Sequence, residues 1–586
     1  MKQILSILFL MLPLLAFGQS KQSDYDKWVY NGDKNITEYK IPDGVRTIAK
    51  FAFDSCVNLR IVKIPASVVD VYDSILFRYC NNLEKIEVDA NNKNFSSLDG
   101  VLFNYDKTKL IYCPNGKTKN GYSIPNSVKE IAYGGFSLCT NLTELVIPDN
   151  VTIIGNCAFS GCENLSKIVL PKSISIINEY TFYRCKNLSR IEIPKGVVEI
   201  GESAFDGCEN LSDIVLPNSI DSIGEYAFEE CKSLKSIVMS DNVKYIGDYA
   251  FSECDNLTEL KLSCNIEQIG TIYKCGKISS ITIPEGVKKI NNWAFDSCQN
   301  LRTIKIPASV TEIGDSLSFL RCYNLENIEV DPNNINYSSQ DGVLYNKDKT
   351  KLIFCPNVKA KNGYKIPKSV KEIGLYGFAG CKDLSKIIIP DNVTSIGTMA
   401  FAECANLQKI ELSKNIETIE ECTFQSCNRL QKIEIPNGVT SIGLAAFVEC
   451  DSLTSVTIPE TVTLIEANAF QDCANLEYIK LPSKLEWISE CLFLNCKNLK
   501  TIDIPNEVKS IGLYAFYNCP NLRTINLPDR LEEIGAATFG LCTNLQSITI
   551  PDNVISLGNG AFGGCKSLVS VVLPKKITIL NDQIFD

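Results

Sequence analysis

Cys139, Cys162, Cys185, Cys208, Cys231 and Cys254 recur at intervals of 23 residues, and so do nine of the eleven cysteines from Cys381 to Cys565. A fixed period of this length describes a stack of like units. It overrides the several separate domains that 586 residues would otherwise suggest. One phrase recurs around each cysteine: Cys185-Lys186-Asn187-Leu188-Ser189-Arg190-Ile191-Glu192-Ile193-Pro194, then Val197, Ile200-Gly201, Ala204-Phe205 and Cys208. Twenty such units can be counted, with a partial one at each end.

Ile191 and Ile193 have the period of two of a strand, and Pro194, lacking an N–H, ends it. Val197 and Ile200 face inward again, and Gly201 is expected to permit a tight bend. Ala204, Phe205 and Cys208 fit one face of a short helical turn, phenylalanine and cysteine being three apart. One coil cannot bury this face alone, so coils must stack. The expected fold is an α/β repeat solenoid of leucine-rich-repeat type. A parallel β-sheet lies on one side and short helical turns on the other, with a long surface and little interior volume.

A second, longer repeat overlies the first. Cys80–Cys139 and Cys322–Cys381 are identical at 42 of 60 positions, which reads as a tandem duplication. Each copy carries one insertion, at 88–122 and 330–364. In the first, Asp99-Gly100-Val101-Leu102-Phe103-Asn104 and Lys109-Leu110-Ile111-Tyr112-Cys113-Pro114 flank a polar loop and predict a β-hairpin. The organisation is therefore a signal peptide at 1–18, a lead-in at 19–32, a first repeat block at 33–274 and a second at 275–586. The signal peptide rests on Lys2, the apolar run from Ile4 to Leu15 and the small residues of Ala16-Phe17-Gly18. No cysteine precedes Cys56, so a lipoprotein anchor is not expected, and no later apolar run is long enough for a transmembrane helix.

Composition removes whole classes of function. There is no histidine, which excludes Ser-His-Asp and Cys-His catalysis and every histidine-containing metal site. With 58 basic and 68 acidic residues and no basic block, nucleic acid and anionic membranes are poor partners. The 26 cysteines of an exported chain invite a disulfide framework. One cysteine at a fixed place per coil is better read as a buried thiol in a ladder, and a line of cysteines does not cluster around zinc. Cys157, Cys422 and Cys491 share one off-ladder register, and Cys264 and Cys275, in a degenerate repeat, are the only disulfide candidates, with free thiols the stronger reading.

These residues resemble the BspA-type leucine-rich repeats of bacterial surface proteins. The whole phrase Ile-x-Ile-Pro-x-x-Val-x-x-Ile-Gly-x-x-Ala-Phe-x-x-Cys-x-Asn-Leu stands at 191–211, and the Asp-Gly-Val-Leu-Phe-Asn insertion is similar to one the family carries. The resemblance implies surface antigens and adhesins that bind host matrix proteins, mucins or other microbes. A non-catalytic exported protein without cofactor or small-molecule substrate is expected. A periplasmic or envelope scaffold and a glycan-binding repeat protein are the alternatives.

Four recurrent polar or aromatic positions are candidate sites. Asparagine two after the cysteine, as at Asn58, Asn141, Asn187, Asn300, Asn406 and Asn544, is expected to form an inward ladder satisfying backbone groups. Asp89, Asn91, Asn92 and Asp99, repeated as Asp331, Asn333, Asn334 and Asp341, suggest Asx turns before calcium, having no EF-hand spacing. The outward strand positions, among them Lys63, Glu87, Glu192, Lys261 and Glu411, have Tyr478 as their one aromatic residue, which disfavours a sugar platform. Aromatic residues gather instead two before the core phenylalanine: Phe51, Tyr180, Tyr226, Tyr249, Trp293, Tyr376 and Tyr514. They are either half-buried packing between turns or a protein-binding stripe.

Overall fold

The computed structural model describes residues 28–71, 75–314, 316–361, 363–575, 579–580 and 583–585. The expected signal peptide and most of the lead-in lie outside them. The chain divides into two compact units between Ser173 and Ile174.

Within each unit the 23-residue phrase becomes one three-sided coil. The Ile-x-Ile segment forms the first side. Arg190–Glu192 pairs in parallel with Asp213–Val215, Ile191 opposite Ile214, and the flanking residues point to solvent. After the proline turn, closed by Val197 N–H donating to Pro194 O at 3.0 Å, a second short strand begins. Glu199–Ile200 pairs with Ser222–Ile223, so the coils carry two parallel ladders and not one. Leu188, Ile191, Ile193, Val197, Ile200, Ala204, Phe205 and Cys208 are all buried, as the period requires.

The third side is not helical. Most coils have two left-handed residues there, two before and two after the phenylalanine. Tyr180 (φ 54°) and Arg184 (φ 55°) flank Phe182, and Tyr226 (φ 56°) and Glu230 (φ 53°) flank Phe228. A right-handed helix cannot pass through them. Their effect is to turn alternate amides along the stack. Tyr180, Phe182 and Arg184 donate their N–H groups to the carbonyls of Glu202, Ala204 and Asp206 at 2.8, 2.8 and 2.7 Å. A helix would satisfy those amides within the coil, whereas here they form a third ladder between coils. Among the described residues, helix is confined to the short segments Ile75–Phe77, Asn115–Asn120, Ser316–Phe319 and Asn357–Ala360, beside or within the insertions.

The core follows from this arrangement. In the second unit nine phenylalanine rings from Phe378 to Phe562 stack with centroids 5.1–5.8 Å apart. Burying each such ring contributes about 1.5–3 kcal/mol. The ladder cysteine does more than fill space beside it. The Cys450 thiol donates to the carbonyl of Phe424 at 3.2 Å, and the same contact recurs at Cys404, Cys473 and Cys519. In the first unit the N-terminal face of Phe53 is covered by Trp28, Tyr30 and Tyr39, with centroids 5.4–5.8 Å away.

Cys275 belongs to the ladder, which corrects its off-ladder placement and removes it as a disulfide candidate with Cys264. Its thiol is buried and donates to Phe251 O at 2.9 Å, at the end of a 21-residue coil running from Cys254. Cys264 stands exposed on a turn, and all 26 cysteines are free thiols. In this short coil Ile272 replaces the phenylalanine and interrupts the ring stack. A cavity of about 10 Å³ remains there, lined in part by Phe251 and Ile272.

Gly201 is needed for a different reason from the one expected. Its φ is not left-handed; a Cβ there would stand 2.7 Å from the backbone N of Glu179 and 2.9 Å from the carbonyl carbon of Asn178. Close approach of successive coils, and not a bend, selects glycine.

The insertions form the expected hairpins. Val101–Asn104 pairs antiparallel with Lys109–Tyr112, and Phe95–Leu98 adds a third strand. Lys109–Tyr112 also pairs in parallel with Glu130–Ile131, so the hairpin is stitched into the second ladder. Lys351–Phe354 and Glu372–Ile373 repeat this in the second unit. There the strand runs directly into Cys355, so this coil has no left-handed loop.

Candidate functional site

The surface with the most varied chemistry is the left-handed side. Residues two before and one after each phenylalanine share it, as the edge-on pairs Tyr180–Tyr183 (5.8 Å) and Tyr514–Tyr517 (5.3 Å) show. The position two before phenylalanine accepts Tyr, Trp, Met, Cys, Ala, Ser and Asn at one backbone conformation. Its chemistry is therefore free to vary while the coil stays the same.

The structure gathers some of the aromatic stripe and disperses the rest. Tyr226 and Tyr249 stack directly, with centroids 5.2 Å apart and planes 4° from parallel. Tyr180 packs against Tyr183, and its hydroxyl donates to the carboxylate of Glu202 in the next coil. Trp293 and Tyr376 join Leu317, Leu320, Ala379, Met399 and Ala402 in an apolar cluster. That cluster closes over the coil lacking a left-handed loop. Tyr514 meets only the tyrosine of its own turn among the ring contacts of the described residues. In the first unit the guanidinium of Arg78 covers the Phe51 ring at 4.4 Å and pairs with Asp54 at 2.6 Å.

Sequence periodicity did not mark the charged residues that share this side. Asp206 and Glu229 follow their phenylalanines and are half-buried. Burial first, then repulsion from neighbouring carboxylates, pushes Asp206 up to about 7 and Glu229 up to about 8. Asp296 is buried beside the apolar cluster. Its Oδ2 makes no hydrogen bond and lies 3.7 Å from Arg321, which also pairs with Glu403.

The other candidate positions are structural. The asparagine ladder exists at the surface, not inward. Asn521 donates to Asn498 Oδ1 at 3.2 Å and Asn498 to Asn475 Oδ1 at 2.9 Å, while Asn164 and Asn406 donate to carbonyls one coil back. Asn92 is buried and fully engaged, donating to Pro65 O and Val68 O and accepting from the backbone of Asn94 and Phe95; Asn334 repeats this. These are the Asx turns expected. Among the described residues no group of three or more Cys, Asp or Glu could hold a metal ion, and no helix is long and apolar enough to cross a membrane. Tyr478 is exposed on the outer strand face as expected.

Two parallel strand ladders, a third backbone ladder and a core filled by the same positions of every coil define a leucine-rich-repeat solenoid. The BspA type leucine rich repeat region matches in six copies, at 25–122, 117–232, 175–272, 270–364, 357–477 and 463–586, and the chain belongs to that family. Similar solved structures include a leucine rich cell surface protein of Faecalibacterium prausnitzii (24% identity over 76% of this chain and 87% of that one, TM-score 0.33). A leucine-rich repeat protein of Bacteroides ovatus is 25% identical over 82% and 97%, TM-score 0.33. The pneumococcal vaccine antigen PcpA is 20% identical over 86% and 95%, TM-score 0.35. No curated protein matches the chain.

Proposed function

We propose that this chain is exported and acts at a bacterial cell surface as a non-catalytic adhesion or protein-binding protein. Membership of the BspA-type family over nearly its whole length carries the reading. Two further features support it. The first 18 residues have the charge, apolar run and small residues of a signal peptide. The left-handed side offers half-exposed tyrosines on a rigid backbone, and tyrosine supplies contact area at low entropic cost. Tyr180, Tyr226, Tyr249, Trp293, Tyr376 and Tyr514 are the residues assigned to partner contact, with matrix proteins, mucins or other microbes as the partners.

Protease shaving of intact source cells tests this, with a periplasmic protein as control. Loss of the chain while the control survives supports a surface position. Protection until the envelope is broken overturns it and leaves the envelope scaffold.

A further inference from the structure

Three consecutive left-handed turns, 201–209, 224–232 and 247–255, hold nine acidic residues and one lysine. Their formal charge of −8 sits in 27 residues, against −10 for all 586. Lys232 is shared between Glu209 and Glu230, and Glu253 is held by Lys274 of the next coil. Asp206 and Glu229, the two carboxylates that follow phenylalanine, have no ion-pair partner among the described residues. In the middle of this field stands the Tyr226–Tyr249 stack.

The rims show what such rings accept. At one side the Arg184 guanidinium lies over the Tyr183 ring at 5.2 Å, and at the other the Lys274 ammonium lies over Tyr273 at 4.9 Å. Among the described residues no cation stands over Tyr226 or Tyr249. The chain thus puts its own cations on the outer rings of this face and leaves the central pair open.

Resting on the protein-binding reading above, we propose that this face docks a lysine- or arginine-rich segment of a partner protein, its cations lying over Tyr226 and Tyr249 and beside Asp206 and Glu229. Ring quadrupole and carboxylate attract the same group, and charge complementarity sets the partner's sign. Titration supports the geometry. Burial and then the charge of Glu230 raise Asp206, while burial and then the charges of Asp206, Glu253 and Glu230 raise Glu229. Arg184 and the Ser203 hydroxyl oppose this at Asp206, and Lys274 opposes it at Glu229. A docked cation reverses the shift, so docking releases protons and tightens as pH rises from 6 to 8.

The test is fluorescence anisotropy of a labelled decalysine peptide with the purified full chain. One variant combines Asp206→Asn, Glu229→Gln and Glu230→Gln. A second, matched in charge, combines Glu192→Gln, Glu411→Gln and Glu434→Gln on the outer strand face. A third combines Tyr226→Asn and Tyr249→Asn, asparagine already occupying this slot at Asn468 with φ 60°. The first variant is expected to weaken binding about tenfold, the second less than about twofold and the third about threefold or more. Equal weakening by the two acidic variants means a diffuse field and overturns the proposal. So does wild-type binding by the tyrosine variant, or no binding by the wild type. None of these outcomes bears on the shaving result, which needs no ligand.

Discussion

Replacing Gly224 by alanine tests the close approach of coils most directly. A Cβ there would stand 2.6 Å from the backbone N of Glu202, 2.7 Å from the carbonyl carbon of Gly201 and 3.0 Å from Glu202 Cα. Every one of those atoms is backbone, so relief requires the turn to move outward by about 0.7 Å, as overpacked sites do. That displacement lengthens the Gly224 N–H to Ile200 O bond, now 2.7 Å, to about 3.4 Å and weakens it. A backbone hydrogen bond contributes about 1 kcal/mol net, and overpacking adds about 1–3 kcal/mol. The expected loss is therefore about 2–4 kcal/mol. The fold admits side chains in this slot at Glu420, Glu466 and Ser489, so the variant should still fold. Gly276→Ala is the control: a Cβ there meets nothing within 4 Å, and stability should be unchanged or rise by up to about 1 kcal/mol. Because solenoid energetics are nearest-neighbour, the loss should concentrate at one junction. Hydrogen exchange should show amides around 200–230 opening about 30- to 1,000-fold more readily in Gly224→Ala, with distant coils unchanged. Equal protection in the two variants would refute the reasoning.

Two further outcomes follow from buried groups. Alkylation of the native chain at pH 8 should modify Cys264 rapidly and leave ladder thiols untouched until unfolding. Burial pushes Cys519, for example, up to about 12, leaving about one thiolate in ten thousand at that pH; mass spectrometry of Cys519 labelling at a rate near that of Cys264 would contradict the ladder. Asp206 and Glu229 have folded-state values above their unfolded ones, so the folded state binds more protons between about pH 4 and pH 8, and stability falls as pH rises through that window. Asp206→Asn with Glu229→Gln should flatten this slope in urea titrations and stabilise the chain at pH 8; an unaltered slope would show that other groups cause it.

The core was legible because its residues repeat and its chemistry is simple. Leu188, Ile191, Val197, Ile200, Phe205 and Cys208 announce their burial by period alone. The third side was misread because Ala204, Phe205 and Cys208 do satisfy a helical spacing. The residues that forbid a helix, Tyr180, Arg184, Tyr226 and Glu230, are types that seldom adopt positive φ. A signal was nonetheless present in the aligned coils. Gly134 and Gly560 stand in the tyrosine column, and Gly161, Gly207, Gly380 and Gly564 in the column two after phenylalanine, all with positive φ. A column that mixes glycine and asparagine with bulky residues is the mark of a left-handed position. Asp206 and Glu229 were passed over because their column also holds Ser252, Ala402 and Val448, and only adjacency in space makes them a pair.

All three ladders of a coil run along the stack, which gives each unit a mechanical character. Tension along the stack loads the strand bonds and the left-handed bonds of one junction together, so a coil resists until its whole set yields. A coil that peels away then releases roughly 75 Å of chain in place of the about 4.8 Å it had occupied. A tether built this way lengthens in discrete steps under shear, each step limiting the force that reaches whatever the surface holds.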